Sequence, residues 1–355
     1  MSVLVVNTGS SSVKLSVIGA DDETLASRDL EAPDGRVDVD AVAAAVEQLP
    51  DAAVAGHRVV HGGDETRPRV VDAALREHID SLAMLAPLHQ ARALAGMDAV
   101  TRARPGLTSV ACFDTAFHAT LPAAARTYAL PREWRDRHGL RRYGFHGLSH
   151  RWAARRALEL APGAQRIVSC HLGAGASLAA IADGRSVDTT MGFTPLEGIV
   201  MATRSGSVDP GLLTWLQHTA GMSAHELEDG LSHESGLLGL AGTADMRELL
   251  ARDDADARLA LDVYVHRLRA AVAAMAAALG GMDALVFTGG IGEHAAPIRA
   301  RTVAGLGFLG AQVDPARNDA ATSDTDVSAS EGPVRTLVVT SREDLEIARQ
   351  CRAAL

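Results

Sequence analysis

Two arginines stand among glycines and apolar residues, where a cation needs an anionic partner. Arg58 lies in the apolar run 54–60, just before a pair of glycines, and Arg204 follows the apolar segment 198–201. Most other arginines of this chain must be solvated surface residues. A guanidinium group binds carboxylate or phosphate through two parallel hydrogen bonds. Both arginines are therefore candidates for binding a small anion.

Three more side chains could act on that anion. Asp114 follows a strand predicted over residues 108–113, a common place for a magnesium ligand or a base in open α/β sheets. His146 lies between glycines that leave room for a ligand, although a lone histidine is more often a hydrogen-bonded core residue. Glu343 begins the last predicted helix, where it could cap the helix or bind a metal. Spacing alone leaves both roles open.

Glycine-rich turns follow three predicted strands, at residues 7–12, 173–176 and 288–293. Such turns let backbone N–H groups approach phosphate oxygens, although a single turn of this kind is more often structural. None matches a Walker A loop or a dinucleotide fingerprint. Lys14, the only lysine among 34 basic residues, follows the first turn and suggests a site for a compact ammonium group. The three turns together favour a phosphate-binding protein.

Apolar runs, periodicity and turn residues predict the elements that position these groups. Residues beyond 20 suggest loop and surface helix, residues 311–333 an exposed connection, and Ser149 the N-cap of a helix. The predicted strands are 3–6, 13–18, 54–60, 108–113, 167–172, 177–181, 284–287 and 335–339, and the predicted helices are 72–103, 149–160, 255–279 and the segment from about 343.

The strand–turn–strand pattern at the start of the chain occurs again in its second half. Asn7-x-Gly9 aligns with His171-x-Gly173. A repeat of this kind predicts two related α/β domains, each with a turn facing a shared cleft.

Composition limits the classes of function. The chain has 355 residues, enough for two domains, with 47% hydrophobic residues and a formal net charge of -10. The acidic balance argues against nucleic acid as a partner. No signal-peptide pattern opens the chain, and the apolar stretch 270–279 is too short to span a membrane. Its three cysteines fit neither a disulfide framework nor a zinc site, so a reducing cytoplasm is expected.

The ordered motifs of the chain resemble those of the acetate kinase family from end to end. Each is short, and their order along the chain makes the resemblance specific. They are residues 7–14, 57–63, 113–118, 143–150, 171–173, 187–206, 236–239, 245–247 and 289–293.

The resemblance implies an α/β fold of duplicated ribonuclease-H-like (actin-like ATPase) domains with an interdomain nucleotide cleft. The expected domains are residues 1–117 with 344–355, and residues 118–343. The implied activity is reversible in-line transfer of the ATP γ-phosphoryl group to acetate, giving acetyl phosphate and ADP, in a cytoplasmic homodimer. Mg²⁺ is the implied metal, with Mn²⁺ as a possible substitute, and neither nucleic acid nor membrane is an expected partner.

The resemblance also assigns roles to residues. Arg58, Arg204, Asp114 and His146 are expected to be catalytic, with the two arginines holding the carboxylate and the phosphoryl group. The expected metal residues are Asn7, Asp114 and Glu343. The expected residues of the carboxylic acid site are Arg58, Val60, Leu88, His89, Phe145 and Pro195. The expected nucleotide residues are Ser10, Ser12, Lys14, His171, Gly173, Gly175, Asp245, Met246, Arg247, Gly290, Ile291 and Gly292.

Several positions depart from the family pattern. Ala174 replaces the asparagine of a Gly-Asn-Gly turn, and the loss of one such contact to phosphate costs about 1.5–3 kcal/mol. Gln90-Ala91 replaces Asn-Pro, Ser207 an aspartate and His294 an asparagine, and the stretch between Lys14 and Arg58 is short. Two alternatives therefore stay open: a kinase for propionate or another short-chain acid, and a nucleotide-binding homologue with little turnover.

Overall fold

The computed structural model describes residues 1–9, 12–32, 36–329 and 332–355, without the side chains of residues 87 and 88. Short 3-10 turns occur at Ala83–Leu85, Ala116–Thr120 and Gly307–Leu309. The strands are β1 (Val3–Thr8), β2 (Ser12–Ile18), β3 (Thr24–Glu31), β4 (Val54–Val59), β5 (Arg69–Val70), β6 (Ser109–Phe113), β7 (Arg166–Leu172), β8 (Ala176–Ala182), β9 (Arg185–Thr189), β10 (Ala284–Thr288), β11 (Thr325–Asp326) and β12 (Arg335–Val338). The helices are α1 (Val39–Glu47), α2 (Ala73–Ser81), α3 (Pro87–Ala103), α4 (Ala123–Arg126), α5 (Arg132–His138), α6 (Gly147–Leu160), α7 (Pro210–His218), α8 (Ala224–His233), α9 (Gly236–Ala241), α10 (Met246–Ala251), α11 (Ala255–Ala278), α12 (Gly289–His294), α13 (Ala296–Ala304), α14 (Pro315–Ala320) and α15 (Glu343–Ala354).

Among the described residues, the strands form two six-stranded sheets with the same plan. The first has the order β3-β2-β1-β4-β6-β5, and the second, taken from its other edge, has the order β9-β8-β7-β10-β12-β11. In each sheet the three inner strands β1, β4, β6 or β7, β10, β12 are parallel. Strands β2 and β5, or β8 and β11, pair antiparallel with them, and the edge strand β3 or β9 pairs antiparallel with β2 or β8. The predicted duplication is therefore confirmed.

The central strands are buried because helices cover the sheets. Residues 3–6 are all apolar and at most 1% exposed, as expected for a parallel strand covered on both faces. Helices α1 and α3 pack on the first sheet, and Val42, Val46 and Val100 join Leu4 and Leu15 in one core cluster. The carboxyl ends of the parallel strands, where the candidate residues lie, are thus held on a rigid support.

The C-terminal helix α15 packs closely against β4. A Cβ atom at Gly56 would lie 2.5 Å from Cys351 Sγ and 2.6 Å from Ile347, so only glycine fits at this crossing. Cys112 on β6 is buried beside Cys351, with 4.0 Å between the two sulfur atoms. The close approach fixes the first turn of α15, which carries Glu343.

The second sheet is covered by the long helix α11. Asp254 caps this helix by accepting the N–H groups of Asp256 and Ala257. Its buried residues, Leu268 and Val272 among them, lie on the stripe that packs against β7, β8 and β9. The predicted helix over 255–279 is confirmed to within one residue.

Four sequence predictions were wrong in detail. Strand β3 lies where loop and surface helix were expected, because its charged residues are those of an exposed edge strand. The segment 72–103 forms two helices with a 3-10 turn between them, and the second begins at Pro87, which cannot continue a preceding helix. Residues 311–333 include α14 and β11, with Asn318 and Ser328 buried. The fourth error, at Ser149, concerns the site and is described there.

Two compact units divide the chain. One contains residues 1–119, 145–152 and 342–355, and the other contains residues 120–144 and 153–341. The domain limits expected from the resemblance, and the cleft between domains, stay predictions. No helix among the described residues is both long and apolar enough to cross a membrane.

Candidate active site

Three polar side chains lie at the carboxyl ends of neighbouring parallel strands in the first sheet. Asn7 is near the end of β1, Arg58 near the end of β4, and Asp114 directly after β6. The order β1-β4-β6 brings the three strand ends side by side. Glu343 joins them from the first turn of α15, which packs on the same three strands. Ligands of open α/β sheets bind at such carboxyl ends.

Arg58 lies at the centre of this cluster. Its Nη2 and Nε donate to Asp114 Oδ2 at 2.7 and 3.1 Å. Its Nη1 lies 3.3 Å from both Asn7 Oδ1 and Glu343 Oε2, while Asn7 Nδ2 donates to the same Glu343 oxygen at 2.8 Å. One guanidinium group therefore serves two carboxylates, and its direction is fixed.

Burial and charge set the pKa values in this cluster. Burial alone would lower the pKa of Arg58, but the charges of Asp114 and Glu343 raise it above its usual value. Burial raises the pKa of Asp114 to about 6, and the Glu343 carboxylate adds to this effect while Arg58 opposes it. With two carboxylates to one guanidinium, the cluster carries a net negative charge and has capacity for a further cation.

Glu343 could have been a helix cap or a metal-site carboxylate. Residue 342 is the N-cap position of α15, and no side-chain cap hydrogen bond is present there. Glu343 points its carboxylate to Asn7 and Arg58 instead. Its position in the first turn also places a negative charge favourably at the helix N-terminus. The structure thus supports its assignment to the polar cluster over a capping role.

The oxygen donors of the cluster fit a hard divalent cation. Asp114 Oδ1 is buried and makes no side-chain hydrogen bond among the described residues, while the Leu148 N–H lies close to the carboxylate. Mg²⁺ is commonly bound by one or two carboxylates, with waters and substrate phosphates completing its shell. Asp114 and Glu343 could supply these carboxylates. The described residues contain no group of three or more His, Cys, Asp or Glu side chains able to hold a metal alone.

His146 occupies a conformation that is uncommon for a residue other than glycine. Its φ is 56°, in the left-handed region, and such outliers concentrate at functional sites. The next residue, Gly147, donates its N–H to the Asp114 carbonyl at 3.0 Å, and a Cβ there would collide with that carbonyl. His146 is therefore held beside the residue that follows β6.

The start of α6 corrects the prediction that Ser149 is its N-cap. The helix begins at Gly147, and Ser149 is buried inside it. The first N–H group of the helix is already satisfied by the Asp114 carbonyl, so this N–H does not need a serine cap.

Two of the predicted acid-site residues are buried near the end of β4 and before α6. Val60 is 6% exposed and Phe145 is 1% exposed. The Phe145 ring lies edge-on to His61 at a centroid distance of 5.4 Å. The backbone carbonyl oxygen of Phe145 is 3.0 Å from His118 Nε2. These contacts hold an apolar ring in one place. The side chain of Leu88 lies outside the described set.

Gln90, a departure from the family pattern, is a buried anchor of the helix that carries His89. Its amide group donates to the carbonyls of His61 and Ile79, at 2.8 and 3.1 Å, and accepts the His61 N–H at 3.2 Å. The substitution thus ties α3 to the segment after β4. His89 itself lies in the first turn of α3.

Arg204 lies in the second unit and has a different environment from Arg58. Its Nη1 donates to the Pro195 carbonyl at 3.1 Å, and no carboxylate pairs with it among the described residues. Burial lowers its pKa below the usual arginine value. The backbone around it is fixed, since Met201 and Ser205 donate to the carbonyls of Arg204 and Leu231. A partly buried guanidinium without a counter-charge is suited to bind an anion.

Two glycine-rich turns lie at the carboxyl ends of neighbouring inner strands of the second sheet. Gly173 and Gly175 follow β7, and their backbones are linked by a 3.0 Å hydrogen bond. Gly290, Ile291 and Gly292 are in α12, directly after β10. Because β7 and β10 are parallel neighbours, both turns occur at their carboxyl ends. His171 occupies the β7 position opposite Thr288 on β10 and Ser177 on β8.

The other predicted nucleotide residues are placed in part. Asp245 caps α10 and pairs with Arg247 at 2.7 Å, which lowers the pKa of Asp245 to about 2, while Met246 is buried. Lys14 lies on β2 directly opposite Asn7, and Ser12 begins the same strand. Ser10 lies outside the described residues.

Two site residues were missed by sequence reasoning. Arg92, buried on α3, donates to the Gly9 carbonyl of the first turn at 3.0 Å. Glu293 accepts the N–H groups of Gly289 and Ser341, at 3.0 and 2.9 Å, and so joins the ends of β10 and β12. Nothing in the sequence separates Arg92 from the surface arginines, whereas Glu293 is the last residue of a glycine-rich turn.

A duplicated α/β sheet with polar side chains at the carboxyl ends of its parallel strands defines the class of actin-like ATPase folds. Comparisons with known proteins narrow the class. The model of the acetokinase family matches residues 36–349. The chain belongs to the acetokinase family.

Relatives and solved structures agree with this membership. The acetate kinase of Gloeobacter violaceus is 49% identical over 83% of this chain and 75% of its own, and that of Clavibacter sepedonicus is 46% identical over 99% and 98%. The crystal structure of Porphyromonas gingivalis acetate kinase is similar with a TM-score of 0.88 at 34% identity, covering 99% of both chains. A propionate kinase structure from Francisella tularensis has a TM-score of 0.89 at 35% identity, covering 98% of both chains.

Proposed function

We propose that the protein transfers the γ-phosphoryl group of ATP to acetate, reversibly, giving acetyl phosphate and ADP. The observation that carries the proposal is Arg204, a partly buried guanidinium with no carboxylate partner among the described residues. The curated relatives are named acetate kinase, and this name agrees with an anion site of that kind.

The proposed reaction needs little covalent chemistry from the protein. A carboxylate oxygen forms a bond to the γ-phosphorus as the bond from phosphorus to the β,γ-bridging oxygen breaks, and no proton is transferred. Arg58 and Arg204 neutralise the phosphoryl group and orient the carboxylate. His146 donates a hydrogen bond to the phosphoryl oxygens. The ionised carboxylate is already a nucleophile, so no general base is required.

Asn7, Asp114 and Glu343 are proposed to hold Mg²⁺, with Mn²⁺ as a possible substitute. When bound, the metal would neutralise charge on the phosphate oxygens. Asp114 and Glu343 supply carboxylate oxygens, and Asn7 orients Glu343 through its amide. Arg58 keeps both carboxylates aligned.

The nucleotide is proposed to bind through the glycine-rich turns of the second sheet and the glycine-rich turn of the first sheet. The phosphates would meet backbone N–H groups near Gly173, Gly175 and the turn before Ser12, with Lys14 beside them. The adenosine would meet α12 and the start of α10. Because the proposed donor is ATP, we place the reaction in the cytoplasm.

Acetate is the leading substrate, and propionate is the second candidate. The structural likeness to a propionate kinase, at 35% identity, favours keeping it. Val60, Leu88, Phe145 and Pro195 are proposed to surround the alkyl group, with His89 near them. One additional methylene in an apolar pocket changes selectivity by about 10- to 200-fold.

An acyl-phosphate trapping assay tests the proposal. Hydroxylamine converts an acyl phosphate to a hydroxamate, so ATP with acetate, propionate or butyrate is expected to yield hydroxamate, most rapidly with acetate. Faster product formation from propionate would identify the second candidate. ATP binding without trapped product from any acid would contradict the proposed function and favour a nucleotide-binding homologue.

We also infer a homodimer. Helix α7 has no buried residue, and its Leu212 and Trp215 are 46% and 54% exposed. An apolar helix left uncovered in this way fits a protein interface. The proposed occupant is a second copy of the chain.

A further inference from the structure

The segment that carries Arg204 and Pro195 is held by one small cluster of side chains. Arg204 donates to the Pro195 carbonyl, so the position of its guanidinium depends on that of the 192–198 loop. This loop has no regular secondary structure of its own. Something outside the loop must therefore fix it.

Glu197 is the centre of the cluster. Its Oε2 accepts the hydroxyl of Tyr128 at 2.5 Å, and its Oε1 accepts Arg142 Nη2 at 2.6 Å. Tyr128 and Arg142 come from a separate segment of the chain, between α4 and α6. Two charge-assisted hydrogen bonds of this length are among the stronger ones in proteins.

Both partners of Glu197 also bind backbone groups, either of the loop or of the residues just before it. Arg142 Nη1 donates to the carbonyls of Thr189, Thr190 and Met191, at 3.2, 3.0 and 2.9 Å. The Tyr128 hydroxyl oxygen accepts the Phe193 N–H at 2.9 Å. Arg142 thus holds the residues just before the loop, and Tyr128 holds Phe193 within it.

Gly192 shows how closely the cluster fits. A Cβ atom at this position would collide with the Glu197 carboxylate and the Tyr128 hydroxyl. The Gly192 carbonyl accepts the N–H groups of Tyr143 and Gly144, at 3.0 and 3.3 Å. Only glycine leaves room for this arrangement.

The far end of the loop is closed by Ser207, where the family pattern has an aspartate. Gly198 donates its N–H to Ser207 Oγ at 3.1 Å, and Ser207 returns its own N–H to the Gly198 carbonyl at 2.9 Å. The serine hydroxyl therefore takes a backbone hydrogen bond at this position. Each end of the loop has its own anchor.

We propose that Tyr128, Arg142 and Glu197 are positioning residues. They hold the 192–198 loop so that Pro195 and the Arg204 guanidinium keep their positions. The proposal rests on the proposed function of the site. Because Pro195 is assigned to the alkyl group and Arg204 to the phosphoryl group, the cluster acts on acid binding and on turnover together. It does not act on ATP binding.

Glu197→Gln tests the proposal, with Tyr128→Phe as a milder second variant should the first fold poorly. Asp283→Asn is the matched control, because Asp283 also pairs with an arginine of the second unit, at 2.5 Å, but at the amino end of β10. Each variant is assayed for kcat, the KM of acetate and of propionate, the KM of ATP, and thermal unfolding. The full chain is used throughout.

Glu197→Gln is expected to lower kcat/KM for acetate about 10- to 100-fold, as a displaced catalytic group does. The KM of ATP should stay unchanged. The ratio of kcat/KM for acetate to kcat/KM for propionate should shift. Tyr128→Phe should change the same quantities less. Asp283→Asn should leave all kinetic constants unchanged.

Each variant is also made in the Arg204→Ala background. If the cluster acts through Arg204, Glu197→Gln should lower the remaining kcat by no more than about twofold there. Three results would overturn the proposal. Glu197→Gln could lower kcat by the same factor in the wild-type and Arg204→Ala backgrounds, or raise the KM of ATP as much as the KM of acetate. Glu197→Gln and Tyr128→Phe could also both leave the kinetic constants unchanged. Arg204→Ala with wild-type kcat would instead contradict the proposed function, independently of Glu197.

Discussion

At the scale of single residues, the cluster of Arg58, Asp114 and Glu343 is the group of charges that we propose to act in phosphoryl transfer. Its two carboxylates share one guanidinium, and Asp114 is fully buried. An arginine held at both sides cannot turn away when a substrate arrives. Preorganised charge of this kind needs no rearrangement during the reaction.

The pKa of Asp114 predicts a pH dependence of stability. Its folded-state pKa is raised to about 6 from 3.8, chiefly by burial, so the folded protein binds more protons than the unfolded chain between these values. The contribution of this group to the free energy of unfolding is therefore complete below about pH 4 and is lost as pH rises through 6. The loss is on the order of 3 kcal/mol.

Asp114→Asn removes this titration and isolates the effect. Unfolding by urea from pH 4 to 7 should give a wild-type stability that falls relative to the variant across this range. Asp136→Asn, at an exposed ion pair on α5, is the control and should follow the wild type. Parallel wild-type and Asp114→Asn curves would show that the pKa of Asp114 is not raised.

Sequence reasoning could place some of these residues and not others. Arg58 and Asp114 were predictable because they end apolar strands, and parallel neighbouring strands bring such ends together. Arg92 and Gln90 were not, because their roles depend on which turn of α3 meets Gly9 and His61. That contact is a property of helix packing and has no local pattern.

At the scale of elements, the start of α6 joins the Asp114 backbone to His146. Gly147 permits this junction because any side chain would meet the Asp114 carbonyl, and Phe117 Cβ lies 2.7 Å from the position of an added Cβ. The backbone there has no room to move without shifting α6 or the end of β6.

Gly147→Ala is expected to displace His146 and lower kcat by about 100-fold, because a 1 Å displacement has an effect of that size. Unfolding should become easier by about 1–3 kcal/mol. Gly230→Ala in α8 is the matched control, since an added Cβ there meets nothing within 4 Å. It should leave kcat unchanged. Normal turnover by Gly147→Ala would contradict the role given to this junction.

Element prediction succeeded where burial was complete and failed where it was not. The inner strands β1 and β10 contain uninterrupted, buried apolar runs at residues 3–6 and 284–287, and the sequence reveals these runs directly. Strand β3 is largely exposed and charged, and the start of α6 uses a backbone carbonyl in place of a capping side chain. Neither leaves a pattern in a single sequence.

At the scale of the whole molecule, the exposed helix α7 predicts self-association. Trp215→Asp should weaken a dimer, because it places a charge in an apolar interface. Sedimentation across a range of concentrations measures the change. Trp134→Asp is the control, since Trp134 has the same 54% exposure but lies on α5. A wild-type protein that is monomeric at every concentration would contradict the inference.

The duplication of the α/β domain was predictable because each copy begins with a local sequence motif. Two strand–turn–strand patterns, at Asn7-x-Gly9 and His171-x-Gly173, correspond to the first hairpins of two sheets with one strand order. The contacts between side chains that are distant in sequence could not be predicted in this way. The spacing of residues gave no indication that Glu197 bonds to Tyr128 and Arg142 and so holds the loop before Arg204.

The rate of acyl-phosphate formation by Arg58→Ala and Arg204→Ala tests the central claim most directly, namely that both guanidinium groups neutralise the transferred phosphoryl group. Each variant should lose about 10²- to 10³-fold in kcat, as expected when one stabilising donor is removed. Arg132→Ala, at a side chain that is 87% exposed, should keep the wild-type rate. Wild-type turnover by either Arg58→Ala or Arg204→Ala would contradict the account.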